Sequence, residues 1–102
     1  MTVNACYQNE ILHIRLCGEM DEHTASYARR EADSLATRYV ACKCAVFDLR
    51  DVSFMDSTGI GFLIGRYKKI QRYGMSMYIE SPNFTADKVL AVSGIYTLIP
   101  KL

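Results

Sequence analysis

Apolar and polar residues first alternate with a period of two along this chain, then with a period between three and four. In Ile11–Gly18, Leu12, Ile14 and Leu16 point one way and His13 and Arg15 the other, as a half-buried strand requires. Thr2–Gln8 reads as a partner strand. If Asn9-Glu10 is a two-residue turn, Tyr7 faces Leu12 and Cys6 faces His13 in a hairpin. From Gly18 the stretch "GEMDEHTASYARREADSLATRYV" changes period. Ala28, Ala32, Leu35, Ala36 and Tyr39 make one helical stripe, Asp21 or Thr24 is positioned to cap it, and Arg29, Arg30, Glu31 and Asp33 form its wet face.

The next segment, "KCAVFDLRDVSFM", carries Ala45, Val46, Phe47 and Leu49 in a nearly continuous apolar run, suited to a central strand buried on both faces. A second helix follows from about Thr58 to Tyr73, with Ile60, Leu63, Ile64, Tyr67 and Ile70 as its buried stripe. Gly61 and Gly65 leave it a bare face that another backbone or a partner can approach. Gly74 ends that helix, "MSMYIES" is a further strand, Pro82-Asn83 opens a third helix through about Val92, and "SGIYTLIP" turns into a last strand. Strands alternating with helices at this rhythm imply right-handed βαβ units. The expected fold is a single α/β domain over residues 1–102, with a mixed, mostly parallel sheet, an N-terminal hairpin strand and helices packed on it.

Composition narrows the function. Hydrophobic residues are 50% and charged residues 23% of the chain, a globular balance, and the formal net charge is +1. So small a charge gives no bulk attraction for nucleic acid or an anionic membrane. No apolar run approaches the roughly 20 residues of a membrane span. "MTVNACYQNE" lacks the basic start and apolar core of a secretion signal, so a cytoplasmic location with reduced thiols is expected. Cys6 and Cys17 fall out of register in the hairpin. Cys42 and Cys44 form a C-x-C pair without a second pair at ligand spacing, so neither a disulfide nor a metal site is expected. No cofactor is implied.

The chemistry concentrates in "SFMDSTGIGFLIGRYKKI", where a strand ends in Asp56-Ser57-Thr58-Gly59 and a helix begins. Ser57 lacks the flanking glycines of a nucleophile elbow, and neither His13 nor His23 is marked as its base. "DSTGIG" lacks both the lysine of a phosphate-binding loop and the full dinucleotide fingerprint. Asp48 and Asp51 read as solvated acids at a strand end. These absences argue against an enzyme. Two readings of Ser57 stay open: it accepts a phosphate at a helix start, with Gly59 leaving room for a kinase, or Asp56 or Ser57 simply caps the helix, worth about 1 kcal/mol.

"FDLRDVSFMDSTGIGFLIGRYKKI" resembles the signature of the STAS-type anti-sigma-factor antagonists. "GEMDEHTA" is similar to their Gly-Glu-Leu-Asp motif, with Met20 in place of leucine, and "SGIYTLIP" to their Ser-Gly-Leu segment. Among them the likeness is greatest to antagonists acting in sporulation. The resemblance implies partner switching. The unphosphorylated antagonist binds an anti-sigma factor that is also a serine kinase and thereby frees a sigma factor; phosphorylation of Ser57 weakens binding, and a phosphatase resets the switch. It carries Asp56, Thr58 and Gly59 over as the surroundings of the acceptor and Asp21 as part of a loop on the same side; together with Gly61, on the bare face of the second helix, these are the expected partner-binding positions. It also implies a further C-terminal helix beyond Leu102 in many relatives. A constitutive scaffold of the stressosome kind, with Ser57 as a cap, is the competing expectation.

Overall fold

The computed structural model describes residues 1–102. In chain order the elements are β1 (Thr2–Gln8), β2 (Ile11–Met20), α1 (Ala25–Arg38), β3 (Cys44–Met55), α2 (Ser57–Arg72), β4 (Ser76–Glu80) and α3 (Phe84–Ser93), followed by a short 3-10 turn at Ile95–Thr97. One sheet runs in the order β1-β2-β3-β4. β1 and β2 are antiparallel, and the other pairs are parallel. Asn9 (φ 55°) and Glu10 (φ 65°) both adopt left-handed backbone, the turn that matches strand twist in a two-residue hairpin. The hairpin register sets Tyr7 opposite Leu12 and Cys6 opposite His13, as the alternation requires, and all four cysteines are free thiols.

The core lies on one face of the sheet. Leu12, Ile14 and Leu16 of β2, Ala45, Phe47 and Leu49 of β3, and Met77 and Ile79 of β4 meet buried residues of all three helices in one cluster. Ala28, Ala32 and Ala36 give α1 a shallow surface that lets it lie close to the sheet. The opposite face carries His13, Arg15, Val46, Asp48 and Tyr78, so β3 is not sandwiched between helices. Val46 and Asp48 are nonetheless buried, by their neighbours within the sheet.

Several boundaries and faces differ from expectation. β2 continues past Gly18 through Met20, because its pairing to the parallel β3, which runs to Met55 as expected, persists past shifts in register. Asp48 is therefore a mid-strand residue and not a loop acid. It is only 6% exposed, and its carboxylate accepts from Arg15 Nε at 3.3 Å and from the Arg50 amide at 2.9 Å. On α2 the buried face is turned toward Phe62 and Arg66, while Ile60, Ile64 and Tyr67 are only partly covered. Asp33 leaves the wet face of α1 to contact Arg66, with Nε 2.6 Å from Oδ1. The Nε–H is not aimed at that oxygen, so the contact is ionic more than hydrogen-bonded. Burial pushes the Arg66 guanidinium below its usual range, and Asp33 opposes that shift.

The expected last strand is reduced to a single bridge between Ile79 and Lys101. Side chains hold it. Tyr96 donates its hydroxyl to Asp87 Oδ1 at 2.6 Å, and Lys101 reaches the same oxygen at 3.0 Å. The hydrogen bond from Tyr96, then that from Lys101, holds the Asp87 carboxyl below the usual range. A depressed carboxyl contributes stability that is present above its unfolded pKa of roughly 4 and is lost as pH falls through the lower folded value. We expect Asp87→Asn to lower the melting temperature near neutrality and the gap from the unsubstituted protein to close on acidification below about pH 4. Thermal melts across that range check it, and a gap that stays constant would rule the linkage out.

Candidate functional site

Met20 and Met55 are register partners at the ends of β2 and β3. Parallel strands that stop side by side deliver their next residues to the same edge of the sheet. Asp21 and Asp56 therefore open neighbouring turns at the C-terminal edge, where α/β folds carry their functional loops. Asp21 is occupied locally. Its Oδ1 accepts from the amides of His23 (2.9 Å) and Thr24 (3.2 Å), and its own N–H donates to Thr24 Oγ1 at 3.1 Å. Thr24 Oγ1 in turn donates to the Glu19 carbonyl at 2.8 Å, which locks the entry to α1.

At the start of α2 the capping role belongs to Asp56. Its Oδ1 accepts from the Thr58 amide at 2.8 Å, and its carbonyl accepts from the Gly59 amide at 3.0 Å. Ser57 is the first residue of the helix. It is exposed, and its hydroxyl takes part in none of the side-chain bonds that hold this turn. The reading of Ser57 as a cap is thereby corrected: a neighbour already does that work, and the serine oxygen is free in solvent at the positive end of a helix of 16 residues.

Gly59 does not leave room for an approaching enzyme. It is buried, and a Cβ there would lie 2.4 Å from Met55 Cγ and 3.2 Å from Met20 Cγ, so the missing side chain makes room for the two methionines. Gly61 is exposed and Gly65 partly so, and a Cβ on either meets nothing within 4 Å. With Thr58 and Phe62 of α2 and Ser26 and Arg29 of α1 they line an open cleft of about 400 Å³ between the helices. On the other flank of α2, Ser57 and Ile60 share a second cleft, of about 420 Å³, with Lys88, Val89 and Val92 of α3. Val92 is 89% exposed. The α3 contribution escaped the sequence reading. Its signal is an apolar residue out of phase with the buried Ala86 and Leu90. Of the residues singled out beforehand, Asp21, Asp56, Ser57, Thr58 and Gly61 gather around one end of the domain, with Gly59 beneath them as packing. No group of three or more His, Cys, Asp and Glu side chains is arranged to hold a metal ion.

Comparison with known proteins agrees with this architecture. The sequence profile of the STAS domain matches residues 2–102. An anti-sigma F factor antagonist of Paenibacillus polymyxa is 36% identical over 88% of this chain and 76% of its own length. Among solved structures, the anti-sigma factor antagonist SpoIIAA in its unphosphorylated form superposes with a TM-score of 0.80 over 99% of this chain and 88% of its own, at 24% identity. The Bacillus protein SpoIIAA in its phosphorylated form gives 0.70 over 99% and 91%, at 26% identity.

The two glycines predict opposite responses to the same substitution. Gly59→Ala forces a methyl into Met55 and should destabilise the fold by about 1–3 kcal/mol despite alanine's better helix propensity. Gly61→Ala meets open space in a helix interior and should stabilise by up to about 1 kcal/mol. Urea unfolding of both variants decides. A neutral or stabilising Gly59→Ala would mean that Met55 is free to move aside.

Proposed function

The chain belongs to the STAS-domain family, and from that premise we propose that it is an anti-sigma-factor antagonist switched by phosphorylation of Ser57. In the unphosphorylated form it binds an anti-sigma factor, and a sigma factor is released. The anti-sigma factor acts as the serine kinase that ends this state, and a phosphatase restores it. The observation that carries the reading is an exposed Ser57 hydroxyl beside a cap supplied by Asp56, so the modified atom has no structural duty to abandon.

The docking surface on this reading is the exposed part of α2's first turns together with its flanking clefts: Asp56, Thr58 and Gly61 toward α1, and Ile60 with Val92 toward α3. Asp21 shapes the adjacent turn and offers its edge to a partner. Gly59 acts from below, through Met55. A phosphoserine adds about −1.5 to −2 charges at the mouth of the cleft lined by Ile60, Val89 and Val92. Apolar surface that a partner would cover is then bordered by a strongly hydrated group, and Asp56 stands next to it with the same sign. Burying both against a neighbour costs several kcal/mol unless that neighbour brings cations.

With a cognate anti-sigma kinase and ATP, we expect one phosphate on Ser57, mapped by peptide mass spectrometry. Ser57→Ala should remain unmodified and still bind. Ser57→Asp should bind at least tenfold more weakly by calorimetry, about 1.4 kcal/mol. Full phosphorylation of Ser57→Ala would overturn the assignment. Gly61→Ala supplies an independent check, because it should lose affinity while gaining stability. Undiminished binding by that variant would remove the α1–α2 side from the docking surface.

A further inference from the structure

The sheet has two edges, and only the β4 edge has any of its backbone covered. At β4 residues Pro100 and Leu102 cover the ladder at one point: the Ile79 amide donates to the Pro100 carbonyl at 3.0 Å and the Leu102 amide donates to the Ile79 carbonyl at 2.9 Å. At β1 nothing comparable exists. No backbone hydrogen bond outside the regular ladders, and no side-chain hydrogen bond, involves a residue of Thr2–Gln8. The strand "TVNACYQ" also contains no charged residue and no proline, and its pairing to β2 runs through seven residues without a bulge. These are the devices by which proteins blunt an exposed edge, and all of them are missing here.

The register says which backbone groups are free. In a two-residue hairpin the residues flanking the turn exchange both hydrogen bonds, and bonded and unbonded pairs then alternate. Gln8–Ile11, Cys6–His13, Asn4–Arg15 and Thr2–Cys17 are thus the bonded pairs. The N–H and C=O groups of Val3, Ala5 and Tyr7 point outward. These three are spaced symmetrically about Ala5, so the edge is complementary to itself under a two-fold rotation. The same three side chains lie on the helix-covered face, where Tyr7 stacks on Tyr39 of α1 with ring centroids 5.0 Å apart yet remains 48% exposed.

We propose that β1 joins a second copy of this chain, in antiparallel register about Ala5, as a symmetric dimer. Val3 then pairs with the other copy's Tyr7, and the two Ala5 residues face each other. This gives roughly six new backbone hydrogen bonds, two for each facing pair. Each Val3–Tyr7 contact is an aromatic–β-branched pair of the kind that stabilises antiparallel sheets, and it covers the exposed tyrosine face. The small Ala5 at the axis lets the strands approach. The contact is isologous and uses up the β1 edge of both copies, so the assembly closes at two instead of growing into a fibre. β1 lies three places from β4 across the sheet, while α2 packs over β3 and β4, so both Ser57 hydroxyls stay accessible.

Three measurements test this. Sedimentation equilibrium of the whole chain should return about twice 11.6 kDa at high protein concentration. Ala5→Pro removes an outward amide that β2 does not use, so it should keep the circular dichroism of the fold while weakening association roughly tenfold or more. In the proposed register Asn4 faces Cys6 of the other copy as a non-hydrogen-bonded pair, the closer kind, on the open face of the sheet. Asn4→Cys should therefore form a dimer under mild oxidation whose intermolecular disulfide maps to positions 4 and 6, readable even if Ala5→Pro fails to fold. A monomer at all concentrations, a larger oligomer, an unweakened Ala5→Pro dimer, or a disulfide between two Cys6 residues each overturns the proposal.

Discussion

The contact on which the site depends is the meeting of Met20, Met55 and Gly59. The two methionines end adjacent parallel strands in register, and Gly59 presents bare backbone to both. A side chain at that position would push α2 off the sheet edge, and the turn at Asp56 would move with it. Both loops that carry the candidate residues are positioned by this one close approach. Met20 is well suited to the place, since an unbranched thioether chain fills the irregular gap under a helix start more readily than a branched residue does.

From that anchor outward, each polar group at the edge has a separate duty. Asp21 ties its own loop through the His23 and Thr24 amides. Asp56 caps α2 through the Thr58 amide. What remains uncommitted is Ser57, in the one turn where orphan amides and the helix dipole favour negative charge. A hydroxyl so placed can be changed chemically without breaking a bond that the fold uses. This separation of structural from alterable groups is what a surface switch needs, because the change then appears in docking and not in unfolding.

Much of this was legible in the sequence because it follows from local periodicity. The alternation in Leu12, Ile14 and Leu16 fixed the hairpin register, and Asn9-Glu10 gave its turn. The stripe of alanines marked α1, and the Asp-Ser-Thr-Gly block marked a strand-to-helix boundary. Apart from the choice between Asp56 and Ser57 as the cap of α2, the misreadings concern long-range packing. Nothing local says that Asp33 will turn from solvent to meet Arg66, or that Phe62 and not Ile64 will face the sheet. A glycine behind a serine suggests room for a visitor. Only the register of two strands 35 residues apart reveals that the room is taken by a methionine. Asp48 deceived for the same reason: its pairing with Asp51 in the sequence suggests a loop, whereas Arg15, held opposite by parallel pairing, lets it sit buried within a strand.

The two clefts beside α2 differ in a way that bears on how a switch at Ser57 would act. The α1 side carries the guanidinium groups of Arg29 and Arg66 among small residues, hydroxyls and Phe62, whereas the α3 side sets Ile60, Val89 and Val92 beside Ser57 and Ser93, with Lys88 as its lone cation. Ser57 borders the apolar cleft and Thr58 the polar one. A new dianion at Ser57 therefore falls on the side where a partner's contact depends most on excluding water, and where one exposed lysine offers little compensation. Had the hydroxyls been exchanged so that the acceptor faced the α1 cleft, Arg29 would offer the same phosphate pairing within this protein, Arg66 being already committed to Asp33, and the effect on docking would be blunted. On the proposed reading, the position of the acceptor by a single helical residue decides whether the added charge repels a partner or is absorbed by the domain itself.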